Sequence, residues 1–308
     1  MILCVTPNPA IDRTLVVPGF KPGAVFRPTS QLAAPGGKGV NVARAVRVLG
    51  GAALCAGFVG GGTGRQLAEL AEREGLGAVW TWIGAETRTC IIVADPDAEA
   101  TVINENGPTV TAEEWSRLEA DILRESAQAS AVCFSGSLPQ GQPPDVFAGL
   151  LQTLRGAGRA VWVDTSGAAL AAALAVPGLH IKVNGDEAGA ALGLAVEDIN
   201  SAALAAAQLR ARGAEIAALT LGGQGAVLAH ETGCWHTQPP PVKVMSSVGS
   251  GDSFLAGLVQ GFAAGLPPDE ALRWGAAAGT ANAMSVVGGR FSRQDFESVL
   301  AGTTVNRL

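Results

Sequence analysis

The chain predicts an α/β fold: a mostly parallel sheet covered by helices on both faces, three layers in all, with a small β-sheet as a lid. Three observations lead there. Short apolar, β-branched runs alternate with longer alanine- and leucine-rich stretches of helical period, the pattern of βαβ units. Two regions, about 13–32 and 86–104, break that alternation: they are strand-like, with turn residues and no long helix inside. Polar and glycine-rich segments fall just after several predicted strands, where ligands sit in an open parallel sheet.

Taken in order, Met1-Ile2-Leu3-Cys4-Val5-Thr6 is an apolar run without a basic start and reads as a first strand at 2–6, not a signal peptide. Further strands are expected at 53–59, 131–134, 160–164, 180–183, 216–221 and 226–229. Helical spacing predicts helices at 39–49, 64–74, 112–128, 145–154, 201–212, 251–264, 269–284 and 293–301. Pro239-Pro240-Pro241 reads as a stiff local connector. With no repeat or linker, residues 1–308 read as one domain, and the two irregular regions as a lid or subunit contact.

Composition narrows the function classes. Of 308 residues, 48% are hydrophobic, enough for a core, yet no apolar run reaches the roughly 20 residues that span a bilayer. The net charge is −6 without a basic block, which argues against nucleic acid as a partner. Five scattered cysteines lack a Cys-x-x-Cys pair and read as buried thiols of a reducing cytoplasm. The three histidines have no metal-ligand spacing.

The strongest motif is Val248-Gly249-Ser250-Gly251-Asp252 ahead of an apolar helical run. A glycine turn opening a helix aims unpaired N–H groups and the positive end of the dipole at one point, which suits a phosphate. Ser250 or Asp252 could simply cap the helix, but capping leaves the two flanking glycines without a purpose. A carboxylate at an anion hole makes sense if it takes a hydroxyl proton while the hole holds a moving phosphoryl group.

Other segments are weaker alone. Pro35-Gly36-Gly37-Lys38-Gly39 precedes a helix and offers an anion both backbone and a cation, or is an ordinary turn. It is not a Walker A loop, because Gly39 follows the lysine. Asn8 and Asp12 after the first strand could grip vicinal hydroxyls, or serve turn chemistry. Arg88 could close over a phosphate with its fork, or be solvated. Asn184 could meet a nucleotide phosphate and Glu187 orient Mg²⁺ through water, or Asp186 and Glu187 could merely complement the dipole of a short helix.

Together these segments resemble the ribokinase/PfkB sugar-kinase family over essentially the whole chain. Both family signatures are matched, by Gly36-Gly37-Lys38-Gly39-Val40-Asn41 and by Gly249-Ser250-Gly251-Asp252, as is its Lys-x-Asn-x-x-Glu pattern by Lys182, Asn184 and Glu187. The Asn8-Pro9-Ala10-Ile11-Asp12 start, Thr87-Arg88 and Ser250 are similar to the branch acting on phosphorylated sugars: 1-phosphofructokinase, tagatose-6-phosphate kinase and the minor 6-phosphofructokinase. The resemblance implies a ribokinase-like fold and a cytoplasmic enzyme using ATP and Mg²⁺. It implies Asp252 as catalytic base, with the amides of Gly249, Ser250, Gly251 and Asp252 as anion hole. Asp12, Gly37, Lys38, Asn41, Arg88 and Ser137 would face the sugar phosphate, and Lys38 with Arg88 would hold its resident phosphate. Lys182, Asn184, Glu187, Thr220, Gly222 and Gly225 would face ATP, with Mg²⁺ reached through water by Glu187. A monovalent cation such as K⁺ would lie near Ser246, Val248, Ala283, Val286, Gly288 and Arg290. A homodimer through the lid strands is a further expectation. Two departures, Val183 where proline is common and Pro35 where a small residue is usual, touch loop geometry only.

Overall fold

The computed structural model describes residues 1–95, 98, 100–285 and 287–308. From the N-terminus, β1 (Ile2–Thr6) leads into β2 (Ala10–Val16) and β3 (Ser30–Gly36), and α1 (Lys38–Val48) follows at once. Next come β4 (Ala53–Gly60), α2 (Gly61–Arg73), β5 (Gly77–Ile83), β6 (Arg88–Ala94) and β7 (Thr101–Asn104). The middle of the chain holds α3 (Ala112–Ser126), β8 (Ala131–Ser135), α4 (Pro144–Gly156), β9 (Val161–Asp164), α5 (Gly167–Leu174), β10 (His180–Asn184) and α6 (Gly185–Leu192). The last third holds α7 (Ile199–Ala211), β11 (Ile216–Thr220), β12 (Ala226–His230), β13 (Gly233–Gln238), α8 (Ser250–Ala263), α9 (Pro268–Ala283), α10 (Arg293–Gly302) and β14 (Thr304–Arg307).

The main sheet runs β14-β13-β12-β11-β10-β9-β8-β1-β4-β5. From β11 to β5 every pairing is parallel, and β12, β13 and β14 add an antiparallel edge. Alternate residues of β1 enter opposite cores: Leu3 and Val5 one, Ile2 and Cys4 the other, as the two-residue period of a strand requires. On the second face α8 crosses α9 closely. A Cβ on Gly257 would lie 2.5 Å from the Trp274 carbonyl oxygen, and one on Gly261 2.9 Å from Ala271 Cα. This crossing seats α8, whose first turn carries Asp252.

The second sheet, β3-β2-β6-β7, is the predicted lid. Its β3 extends beyond the expected region to Gly36, so the lid joins the glycine-lysine turn directly. Among the described residues no helix is long and apolar enough to cross a membrane.

Four elements were not expected from the sequence. β14 is a mostly exposed edge strand, β13 mixes polar and aromatic residues, and β5 is the opposite edge; none presents an uninterrupted apolar run. α5 is alanine-rich without a polar stripe and buries Ala169, Leu170 and Ala173. α2 begins at Gly61, earlier than its apolar period predicts, because Glu86 caps it from the foot of the lid. The Glu86 carboxylate accepts from the Gly62 and Thr63 amides at 2.9 and 3.0 Å. Those hydrogen bonds, with one from the Thr63 hydroxyl, pull its pKa down to about 2.

Candidate active site

Gly249 ends the approach to α8 in a left-handed conformation (φ 78°), and no side chain caps the helix. A Cβ there would sit 2.5 Å from Gly288 Cα, so both backbone angle and space require glycine. The capping alternative is therefore ruled out. Asp252 instead turns inward and is buried, its Oδ2 accepting from Asn41 Nδ2 at 2.8 Å. Ser250 accepts from Asn282 Nδ2 at 3.2 Å, and the same nitrogen donates to the Val248 carbonyl at 2.9 Å. One amide of the expected anion hole is already used: Ser250 N–H donates to the Ser247 carbonyl at 3.2 Å. Those of Gly251 and Asp252, in the first turn, have no intrahelical acceptor.

Asp164 organises the two lysines. It is wholly buried at the end of β9 and accepts from Lys38 Nζ at 3.0 Å and Lys182 Nζ at 2.8 Å. Burial opposes its ionisation, but the two ammonium groups outweigh that and hold its pKa below the usual carboxylate range. Lys38 also lies 3.6 Å from Glu187. Burial works against its charge, yet Asp164, Glu187 and Asp252 hold its pKa above that of an ordinary lysine. Burial, and then the Asp164 charge, push the Asp252 carboxyl up to about 6, against the pull of Asn41, Lys38 and Lys182. Asp164 was absent from the expected site residues. Its only signal is a carboxylate at the C-terminal end of a buried strand.

The lid supplies another wall. Arg88 Nε and Nη2 donate to the Asn8 carbonyl at 3.2 and 3.1 Å, and Nη1 reaches that of Glu105 at 3.3 Å. Asn8 Nδ2 donates to Ser137 Oγ at 3.1 Å. Asp12 sits beneath Gly36, where a Cβ would fall 2.2 Å from its Cγ. Burial raises the Asp12 carboxyl to about 6, with Arg44 and Arg88 pulling the other way.

These groups line a cavity of about 620 Å³ that holds Asp12, Gly37, Lys38, Asn41, Arg88, Ser137, Lys182, Asn184, Glu187, Gly249 and Asp252. A second cavity of about 630 Å³ lies against it, lined by Gly222, Gly225, Ser250, the prolines 239–241, Phe254 and Ala276. Thr220 and Gly251 belong to both. Every residue expected from the sequence to act on the sugar phosphate or ATP thus lines one of two adjoining cavities. The first is polar; the second has the apolar walls that suit a flat ring. Gly225 (φ 85°) packs with its Cα against the Thr237 carbonyl, leaving no room for a side chain.

Asn184 and Glu187 form a reciprocal capping box on α6, with Glu187 N–H to Asn184 Oδ1 at 2.8 Å and Asn184 N–H to Glu187 Oε2 at 2.9 Å. The pair thus caps the helix, and both residues still line the polar cavity. Among the described residues no cluster of three or more His, Cys, Asp or Glu could enclose a metal. That donor set fits Mg²⁺ only in its common arrangement, with one or two carboxylates, waters and substrate phosphates. Thr6 and Thr165 line the cavity, and their Oγ1 atoms are buried without a hydrogen-bond partner in the chain. Of the expected cation positions, the carbonyls of Val248 and Gly288 each accept one hydrogen bond within the chain and retain a second lone pair, whereas that of Ala283 already accepts from both Met245 and Ser246 N–H; Val286 lies outside the described residues.

A lidded α/β sheet with a buried carboxylate in a polar cavity that adjoins an apolar one is the layout of a small-molecule kinase. The sequence matches the pfkB family carbohydrate kinases across residues 3–292, and the chain belongs to that family. It is 31% identical to the 1-phosphofructokinase of Bacillus subtilis (strain 168), covering 92% of this chain and 93% of that one. It is 30% identical to the tagatose-6-phosphate kinase of Staphylococcus epidermidis, over 97% of both. Phosphofructokinase-2 from Escherichia coli in complex with fructose-6-phosphate superposes with a TM-score of 0.91 at 30% identity, covering 97% of this chain and 98% of that one. The same enzyme in complex with potassium gives 0.92 at 29%, over 98% of each.

Proposed function

We propose that the chain transfers the γ-phosphoryl group of ATP to a primary hydroxyl of a hexose phosphate, with fructose 1-phosphate giving fructose 1,6-bisphosphate as the leading case. The observation behind this reading is the place of Asp252: a buried carboxylate in the polar cavity, one residue after the Gly251 that both cavities share. The apolar cavity takes the adenine ring, and Thr220, Gly222 and Gly225 border its phosphates. The polar cavity takes the sugar phosphate between Asp12, Asn41, Ser137 and Arg88.

The acceptor oxygen forms its bond to phosphorus as the bond to the bridging oxygen of ADP breaks, and its proton passes to Asp252. The first-turn amides of α8 meet the charge on the moving group. Mg²⁺, when bound, would neutralise charge on the phosphates, and Glu187 is the residue that would hold it through water. The ion pairs of Lys38 with Asp164 and Glu187 suggest a different task from the one expected: Lys38 faces the transferring group, leaving Arg88 for the resident phosphate. A K⁺ ion at the carbonyls beside Gly249 would steady the same turn. Closure of the lid excludes water and suppresses ATP hydrolysis.

The lid also offers a surface for a second copy. Leu32, Val102 and Ile103 are apolar and exposed there, and a homodimer through these strands would cover them; light scattering reads the mass directly. The substrate is tested by ADP release with fructose 1-phosphate, tagatose 6-phosphate, fructose 6-phosphate and free fructose. Tagatose 6-phosphate is the second reading, supported by the relative that covers nearly the whole chain. Preference for free fructose would overturn the phosphosugar assignment, and sugar-phosphate binding without turnover would make the chain a regulator.

A further inference from the structure

Arg44 has no part in the reaction as described, yet it is a nearly fully buried cation one turn along α1 from Asn41. Burying a guanidinium is costly unless its donors are satisfied, and here they are. Nε donates to Glu74 Oε2 at 2.5 Å, Nη1 to Asn41 Oδ1 at 2.7 Å and to the Gly288 carbonyl at 3.2 Å, and Nη2 to the Pro35 carbonyl. Glu74 is held from its other side by Arg290 Nη2 at 2.9 Å. The fork therefore touches the last turn of the lid strand β3, the loop packed on Gly249, and the amide that meets Asp252.

The contact with Asn41 has a chemical consequence. A side-chain amide can turn either end toward Asp252. Arginine has donors only, and an ionised carboxylate accepts only. With Arg44 on Oδ1, a flip would face NH₂ with the guanidinium and the amide oxygen with the carboxylate. A protonated Asp252, left to itself, would tolerate the flipped amide; Arg44 removes that option.

We propose that Arg44 is a positioning residue: by holding Asn41 Oδ1 it locks the amide with Nδ2 toward Asp252, keeping that aspartate ready to accept a proton, and it ties the lock to the lid through Pro35. This rests on Asp252 being the base. Asp164, Lys38 and Lys182 face Asp252 from β9, α1 and β10 and stay unchanged in every variant below.

The experiment compares Arg44→Lys, Asn41→Ala and the double variant. Lysine keeps the charge and loses the fork. Arg44→Lys is expected to lower kcat about ten- to hundredfold, the cost of slight misplacement at a reacting centre, with KM changed less than kcat. The double variant should be no slower than Asn41→Ala alone, because the two residues act in series. Without substrate, ¹³C-carboxyl NMR of the holoprotein chain, with Asp252 assigned from Asp252→Asn, should show its midpoint moving upward in both single variants. Losses that multiply in the double variant, or an Asp252 midpoint that moves in Asn41→Ala but not in Arg44→Lys, would overturn the proposal. If Arg44→Lys does not fold, Glu74→Gln replaces it: kcat should fall with Asn41 present and stay level in the Asn41→Ala background, and the reverse refutes the relay. The titration needs no turnover, so it stands even if no sugar phosphate proves to be a substrate.

Discussion

The rim of the main sheet and the four-stranded lid face each other across one cavity but are built differently. At the rim, polar side chains converge on two buried carboxylates: Lys38 and Lys182 on Asp164, Asn41 on Asp252. In the lid, Arg88 leans on the backbone carbonyls of Asn8 and Glu105, and apolar side chains such as Val102 and Ile103 remain exposed. Polar groups fixed by burial are pre-organised and cannot relax. A side chain resting on carbonyls exchanges that contact for a ligand at little cost. Under the proposed function the rim would serve the chemical step and the lid would select and enclose the substrate, so substitutions should separate kcat from KM.

The largest effect is expected at the rim. Asp252→Asn should lower kcat by about 10²–10⁴, the range of general base catalysis, and leave the KM for sugar phosphate within a few-fold; stopped-time ADP assays read both. Gly249→Ala should follow. Its left-handed backbone and its contact with Gly288 leave no room for a methyl, and a misplaced anion hole costs on the order of 10²-fold in kcat. A fall in melting temperature is expected with it.

The lid predicts the opposite split. Arg88→Ala should raise KM for the sugar phosphate roughly ten- to hundredfold, the loss of a charge-assisted hydrogen bond, with kcat changed far less. Equal losses of kcat from Arg88→Ala and Asp252→Asn would erase the contrast between the two regions.

The smallest effect is a displacement in pH. The Asp252 carboxyl is pushed up to about 6 by burial and by Asp164, so kcat/KM should fall as pH drops through that value and the base becomes protonated. Asp12 titrates near the same point, and the limb should survive in the residual activity of Asp12→Asn. In Asn41→Ala the limb should move to higher pH, because the lost hydrogen bond favoured the ionised form.

What the sequence disclosed followed from local pattern. Glycine on both sides of Ser250, glycines around Lys38, and alternating apolar runs are contiguous signals, and they pointed to the main sheet, the small sheet and the candidate site. What stayed hidden was long-range pairing. Asp164 looks like any aspartate until β9 sets it between lysines from α1 and β10. Arg44 sits within an ordinary helical stretch, and its four partners come from three separate segments and its own helix. The early start of α2 depends on Glu86, which is 24 residues from Gly62. The strands β13 and β14 take their form from the neighbours they pair with, not from a run of their own.

The central claim is that Asp252 is the base of a hexose-phosphate kinase, and one assay addresses it directly: ADP release by the wild-type chain and by Asp252→Asn, with fructose 1-phosphate, tagatose 6-phosphate and free fructose as acceptors. The account predicts turnover of a phosphorylated hexose that collapses in Asp252→Asn while binding of that sugar persists. Near-normal turnover in Asp252→Asn, or free fructose as the preferred acceptor, would contradict it.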